Sequence, residues 1–249
     1  MRGPFFHGVG GVLSADIAVP DHAREVAFYA RVLTTGESPL WRDDLTNNRG
    51  DPVIGLGPRS PEYEALPLQW MPHIQVADVA ASAARALELG GRELLHARDD
   101  DGRSQWAVLT DPAGAAFGVI PVVGDGPVAE ARPGRVGRIA WLTLVVPDVP
   151  SACRFYERVV GWSAAPTEAA GGVEMRRPDG VAVADIRRPG PDEADVPTAW
   201  ILGLPVDDLA ESLRRVGEAG GTVLKGSADA GHAVIRDPVG ACIALQAGG

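Results

Sequence analysis

Ala18-Val19-Pro20-Asp21 leads into Val26-Ala27-Phe28-Tyr29-Ala30-Arg31-Val32-Leu33, and Val145-Val146-Pro147-Asp148 leads into Cys153-Arg154-Phe155-Tyr156-Glu157-Arg158-Val159-Val160. The Asp and the Phe recur at one offset of 127 residues, so a strand end and the helix after it are copied as a block. A second pattern runs from Val76-Ala77-Asp78-Val79 through Gly90-Gly91 to Asp111-Pro112-Ala113-Gly114. It returns as Val206-Asp207-Asp208-Leu209, Gly220-Gly221 and Asp237-Pro238-Val239-Gly240. The chain therefore reads as two similar halves, residues 1–124 and 139–249, joined by a linker at 125–138 that carries Pro127 and Pro133.

Each copy of either pattern opens on a strand, because Ile17/Val19, Ile74/Val76, Leu142/Leu144/Val146 and Leu202/Leu204/Val206 alternate at period two. A helix follows each. Ala152, Phe155, Tyr156 and Val159 fall at i, i+3, i+4 and i+7, an apolar stripe that needs a sheet to cover. Pro150 suits a helix start, and the two Gly-Gly pairs mark helix ends. Short strands come next, Gln105 to Thr110 and Ala116 to Ile120 among them, turned by the Asp-Pro-x-Gly segments. The unit is strand, helix, then strands, four times over, an α+β arrangement.

Composition narrows the function classes. With 45% hydrophobic residues in 249, the chain has enough apolar material for two modest cores or one shared core. A formal charge of −10, from 23 Lys and Arg against 33 Asp and Glu, opposes nucleic acid and anionic membrane surfaces as partners. No stretch has the length of a membrane span or the pattern of a signal peptide, so a cytoplasmic location is expected. Cys153 and Cys242 show no disulfide or zinc spacing and are expected to be reduced.

On these residues the chain resembles the vicinal oxygen chelate superfamily, which includes glyoxalase I, extradiol dioxygenases, fosfomycin-resistance proteins and bleomycin-binding proteins. The carriers are the Val-Pro-Asp…Phe-Tyr segments, the Val-x-Asp…Gly-Gly segments and the two Asp-Pro-x-Gly turns, which together cover nearly the whole chain. Within the superfamily it is most similar to tandem, two-domain actinobacterial proteins of hydroxylase-like type. The resemblance implies four βαβββ modules forming two glyoxalase-like domains, with curved mixed sheets around a cavity for a small-molecule ligand. A homodimer is compatible with it.

The resemblance also says where a metal would sit. Metal-dependent members carry His seven residues before the Asp that closes a module's first strand, and Glu seven residues after the Asp of the Asp-Pro-x-Gly turn. Those positions hold Ser14, Met71, Trp141 and Ile201, then Gly118 and Ala244. None offers more than a hydroxyl where a divalent cation needs several converging nitrogen or oxygen donors. The expectation is no metal and no cofactor. A site built from His7, His22, His96 or His232, or one carboxylate from a loop bearing Asp43, Asp44 and Asp51, stays open.

Strand alternation from the metal positions gives the inner face. It places Ser14 and Asp16 on one strand, Met71, His73 and Gln75 on a second, and Trp141 and Thr143 on a third. Asp16 and His73 occupy equivalent slots, each five residues before its closing Asp. A buried carboxylate needs a partner. A histidine beside it is expected to have a raised pKa and to shuttle a proton near neutral pH. The expected catalytic pair is Asp16 and His73, with Gln75 orienting a carbonyl and Ser14, Met71, Trp106, Trp141 and Thr143 lining ligand sites. Isomerisation, cyclisation or elimination on a carbonyl-bearing, aromatic or polyketide-type metabolite fits such a pair. A structural hydrogen bond between the two residues, a non-catalytic drug-binding or antibiotic self-resistance protein, and a divalent-metal lyase or dioxygenase with atypical ligands remain the alternatives. The pairing of modules is equally open: within a half Asp16 meets His73, across halves it meets Ile201 and Gly203. A linker of this length permits either, at roughly 3.3 Å per extended residue.

Overall fold

The Asp residues that close the first strand of each repeat are helix N-caps. The computed structural model describes residues 6–33, 41–42, 54–124, 126–127, 139–167 and 172–248. The α-helices among these residues are α1 (His22–Val32), α2 (Val79–Glu88), α3 (Val149–Val160) and α4 (Leu209–Glu218). Asp21, Asp78, Asp148 and Asp208 each accept a first-turn backbone N–H at 2.9–3.2 Å. A carboxylate there satisfies a donor that the helix leaves bare and meets the positive end of the dipole. At the other end of α2 and α4, Gly90 (φ 88°) and Gly220 (φ 87°) take the left-handed conformation that turns the chain out of a helix.

The first half supplies strands β1 (Phe6–His7), β2 (Val12–Val19), β3 (Trp41–Arg42), β4 (Ile54–Pro58), β5 (Met71–Val76), β6 (Arg92–Arg98), β7 (Ser104–Thr110) and β8 (Ala116–Pro121). Then come β9 (Gly126–Pro127), β10 (Trp141–Val145), β11 (Ser163–Pro166), β12 (Gly172–Arg176) and β13 (Ala182–Arg187). The last are β14 (Ala199–Val206), β15 (Thr222–Ser227), β16 (His232–Arg236) and β17 (Cys242–Ala247). They form a sheet ordered β3-β4-β2-β5-β8-β7-β6, a second ordered β11-β12-β13-β10-β14-β17-β16-β15, and the ribbon β1-β9. Modules therefore pair within each half. β2 runs antiparallel to β5 with Asp16 opposite Met71, and β10 antiparallel to β14 with Trp141 opposite Gly203. Apart from β9, the expected linker lies outside the described residues, as do Asp43, Asp44 and Asp51.

The halves share one core through their duplicated motifs. Tyr29 of α1 donates to Asp237 in the second half's Asp-Pro-x-Gly turn at 2.7 Å, and Tyr156 of α3 donates to Asp111 in the first half's turn at 3.4 Å. Each Asp also uses its other oxygen to accept backbone N–H groups of its own turn. Tyr and Asp are thus exchanged across the interface, and a single cluster of buried apolar residues runs through both halves, from Phe28 and Phe117 to Phe155 and Leu245.

The second glycine of each Gly-Gly pair is a contact position. A Cβ on Gly91 would stand 2.4 Å from the Thr110 carbonyl oxygen and 3.1 Å from the Phe155 ring; one on Gly221 would stand 2.8 Å from the Arg236 carbonyl oxygen and 2.9 Å from the Phe28 ring. Backbone cannot yield as a flexible side chain does. Gly91→Ala is expected to destabilise the protein by about 1–3 kcal/mol, as overpacking does. Gly217→Ala, with nothing within 4 Å of the added carbon inside α4, is expected to raise Tm. Thermal melts of the two variants check the contrast.

Candidate functional site

Register brings the polar residues of the first sheet into rows. Ser14 of β2 lies opposite His73 of β5, and His73 lies beside Gly118 of β8. In the next row Asp16 lies opposite Met71. These residues wall a cavity of about 100 Å³, completed by Leu66, Tyr63, Leu95, Trp106, Val108 and Ile120 among others. Leu66, Met71, Val108 and Ala116 form a small apolar cluster of their own, separate from the main core, with Tyr63, Leu95 and Trp106 packed on it.

Asp16 is 2% exposed, and its Oδ2 lies 3.3 Å from His73 Nδ1. Ser14 Oγ lies 3.3 Å from the same nitrogen. A carboxylate only accepts, so with the proton on Nδ1 the ring can donate toward Asp16, and Nε2 is then the bare ring nitrogen. Burial pushes the His73 imidazole down from its ordinary value to about 4. That direction is opposite to the rise expected from a carboxylate neighbour: taking the ring out of water penalises its charged form. At neutral pH the ring is a neutral base.

Gly118 stands where the resemblance puts a metal-binding Glu. A Cβ there would lie 2.5 Å from His73 Cδ2, so the imidazole occupies the ground of that ligand. Ser14 and Met71 offer a hydroxyl and a thioether at the other two slots, and no cluster of three or more His, Cys, Asp or Glu exists among the described residues. This donor set does not fit a divalent cation of the superfamily's kind. Gly118→Ala is expected to displace the His73 ring and weaken whatever the cavity binds by about tenfold or more, with little loss of Tm; paired ligand titrations and melts test it.

The remaining expected residues are placed elsewhere. Gln75 is fully buried at the end of β5, where its amide donates to the Phe6 and Gly11 carbonyls at 2.6 and 3.2 Å and accepts from Gly8 and Val123 N–H groups. It fastens the N-terminal segment across the sheet and does not line the cavity, in place of the expected contact to a ligand carbonyl. Trp141 and Thr143 lie in the second sheet, where both donate to Asp185 Oδ1 on β13, Thr143 at 3.0 Å. Burial pushes Asp185 up. Each half thus carries an inward aspartate, Asp16 on β2 and Asp185 one strand over. His22, His96 and His232 make separate contacts, to Leu56, to Glu93 and Ser104, and to Ala230.

Some site residues carry weak sequence signals. Tyr63, at the end of a single 3-10 turn (Pro61–Tyr63), and Leu66 just after it have no periodicity to mark their inner side, and Gly118 is informative only through what it lacks. Asp185 carries a usable signal: a lone carboxylate within Ala182-Val183-Ala184-Asp185-Ile186, the same pattern that singles out Asp16.

Strand-helix-strand modules paired into two sheets, with a cavity on one of them, define a protein of the vicinal oxygen chelate superfamily. The chain belongs to the glyoxalase-like domain family, whose model matches residues 13–120 and 141–245. Among curated proteins it is similar to the putative glyoxylase CFP32 of Mycobacterium tuberculosis, at 28% identity over 79% of this chain and 76% of that one. It is also similar to the anthracycline biosynthesis protein DnrV of Streptomyces peucetius, at 31% identity over 74% of this chain and 67% of the relative. Among solved structures, the Mn(II)-bound glyoxalase from Novosphingobium aromaticivorans shares the fold with a TM-score of 0.53 at 17% identity, over 99% of this chain and 82% of that one. A homoprotocatechuate 2,3-dioxygenase variant from B. fuscum does so with a TM-score of 0.57 at 17% identity, over 98% and 72%. No helix among the described residues is long and apolar enough to cross a membrane.

Proposed function

We propose that the N-terminal cavity binds a small organic metabolite and moves a proton on it without a metal. The observation that carries this reading is the shared contact of Asp16 and Ser14 with His73 Nδ1 in the wall of an otherwise apolar cavity. His73 Nε2 takes a proton from carbon next to a carbonyl; the electron pair of that C–H bond becomes the C=C bond of an enolate as the carbonyl π pair moves onto oxygen. The imidazolium returns the proton to another atom of the same ligand, so the net change is an isomerisation and no co-reactant is consumed. Asp16 is the positioning residue: it fixes the tautomer and offsets the transient positive charge. The anthracycline biosynthesis relative DnrV favours an aromatic, polyketide-type metabolite as the ligand.

A non-catalytic binding protein is the second reading. It is favoured by the low pKa of His73, which makes the ring a weak base in the resting state.

Deuterium uptake from D₂O into a panel of carbonyl-bearing aromatic metabolites, followed by NMR, separates the two readings. The expected result is exchange that survives EDTA and whose acid limb lies near the His73 pKa of about 4, well below the ordinary 6.5. Exchange lost to EDTA and restored by a divalent ion overturns metal independence; tight binding with no exchange leaves the binding-protein reading.

A further inference from the structure

We infer, on the reading that this cavity is the ligand site, that it selects an uncharged, flat ring with a hydroxyl along one edge and rejects anionic analogues, with Asp16 as the specificity-determining residue. Charge comes first. Among the described residues that line the cavity there is no lysine or arginine. Arg59, on the neighbouring loop, turns its guanidinium to the backbone carbonyls of Tyr63 and Leu66. Among the described residues of the lining, the carboxylate and imidazole side chains are those of Asp16 and His73. With the imidazole neutral, their net charge is zero or minus one, never positive. A carboxylate or phosphate entering this apolar space would leave water with no counter-charge to meet it, which burial penalises heavily. A neutral hydroxyl keeps its hydrogen bonds there.

The distribution of polar atoms sets the ligand's shape. Ser14 Oγ, the Asp16 carboxyl and the His73 ring all lie on β2 and β5, on one wall. Leu66, Leu95, Trp106, Val108 and Ile120 supply apolar surface elsewhere. A molecule polar along one edge and apolar on its faces matches this; a sugar or amino acid, polar at several edges, leaves groups unpaired. The cavity of about 100 Å³ is smaller than the roughly 150 Å³ that holds a benzene, so it takes the hydroxyl-bearing edge of a ring and the rest of the ligand emerges at the mouth. Half-exposed Tyr63, Leu95 and Trp106 mark that mouth. Their aromatic and aliphatic faces suit a flat system.

The test compares 2-naphthol with 2-naphthoate at pH 7.5 by titration calorimetry of the full chain, with the Trp106 indole N–H resonance, assigned by its loss in Trp106→Phe, as the reporter of location. The expected result is 2-naphthol binding at least about tenfold tighter, a difference of about 1.4 kcal/mol, with a shift of the Trp106 signal. The gap is expected to narrow to within about threefold in Asp16→Asn, or in Asp16→Ser if the first variant does not fold. Naphthoate binding as tightly as naphthol while shifting Trp106 overturns the selectivity but keeps the cavity as the ligand site. A gap unchanged in a folded Asp16 variant overturns the role of Asp16. No shift of Trp106 by either compound overturns both the selectivity and the reading on which it rests.

Discussion

His73→Ala is expected to slow proton exchange on a cavity ligand by about 10²–10⁴, the range in which a positioned acid or base contributes, while the ligand's Kd changes by less than about tenfold. The asymmetry follows from where the ring sits. Its side chain is 20% exposed and borders the cavity, so removing it enlarges the ligand space without opening the main core, whose residues lie behind the sheet. Apolar contact with Leu66, Met71, Trp106 and Val108 remains to hold the ligand. What is lost is the bare Nε2. Asp16→Asn gives the companion result: the carboxamide removes the negative partner of Nδ1, so exchange falls even though the ring that touches the ligand is intact. Exchange rates measured alongside Kd distinguish the outcomes. A His73→Ala protein that exchanges protons at the wild-type rate removes His73 as the base.

The second large effect concerns stability and pH, and it arises at Glu25. This side chain is fully buried in α1, four residues before Tyr29, at the position where α3 has Ala152 before Tyr156. α1 packs against α4 of the other half, where Ser212 donates to the Val32 carbonyl at 2.8 Å. Burial, and then the charge of Asp237 across the interface, push the Glu25 carboxyl up from 4.5 to about 8. Between those values the folded protein holds a proton that the unfolded chain has released. Stability therefore falls as pH rises through that window, by up to about 1.4 kcal/mol per unit.

His73 acts in the opposite sense. Its folded pKa is depressed from 6.5 to about 4, so stability rises with pH across that interval and then levels off. Above 6.5 the Glu25 slope is no longer offset by His73. From pH 6.5 to 8 the protein is expected to lose about 2 kcal/mol, or roughly 4–8 °C in Tm for a chain of this size. Glu25→Gln, which needs no proton, is expected to remove most of that fall and to leave Tm at pH 5 nearly unchanged. Melting curves of both proteins between pH 5 and 8.5 decide it; parallel profiles would assign the alkaline loss to other groups.

Both predictions depend on residues whose partners are far away in the chain, which bears on what could be read beforehand. The four strand-helix units, the Gly-Gly helix ends and the inward row of Ser14, Asp16, Met71 and His73 were legible, because each rests on interactions within about seven residues or on the period of a strand. The resemblance carried on those segments agrees with the family match at residues 13–120 and 141–245. Glu25 also left a trace: it continues the apolar stripe of Phe28, Tyr29 and Val32 at helical spacing, where a charged residue is out of place.

What the sequence determined by itself was the repeating unit, since periodicity is local; the inward row of β2 and β5 followed once the resemblance supplied the metal positions from which the alternation is counted. The tertiary structure decided the rest. Module pairing within halves brought Asp16 to His73, and a linker compatible with either pairing held no information on that choice. Desolvation reversed the direction of the His73 pKa, because the number of atoms around a ring is a property of the packed sheet. Gln75 went to the N-terminal segment, Asp185 gathered Trp141 and Thr143, and Tyr29 and Tyr156 crossed to Asp237 and Asp111. Each of these depends on a partner at least 42 positions away, and its geometry exists only once the sheets have formed and the two halves have closed on one core.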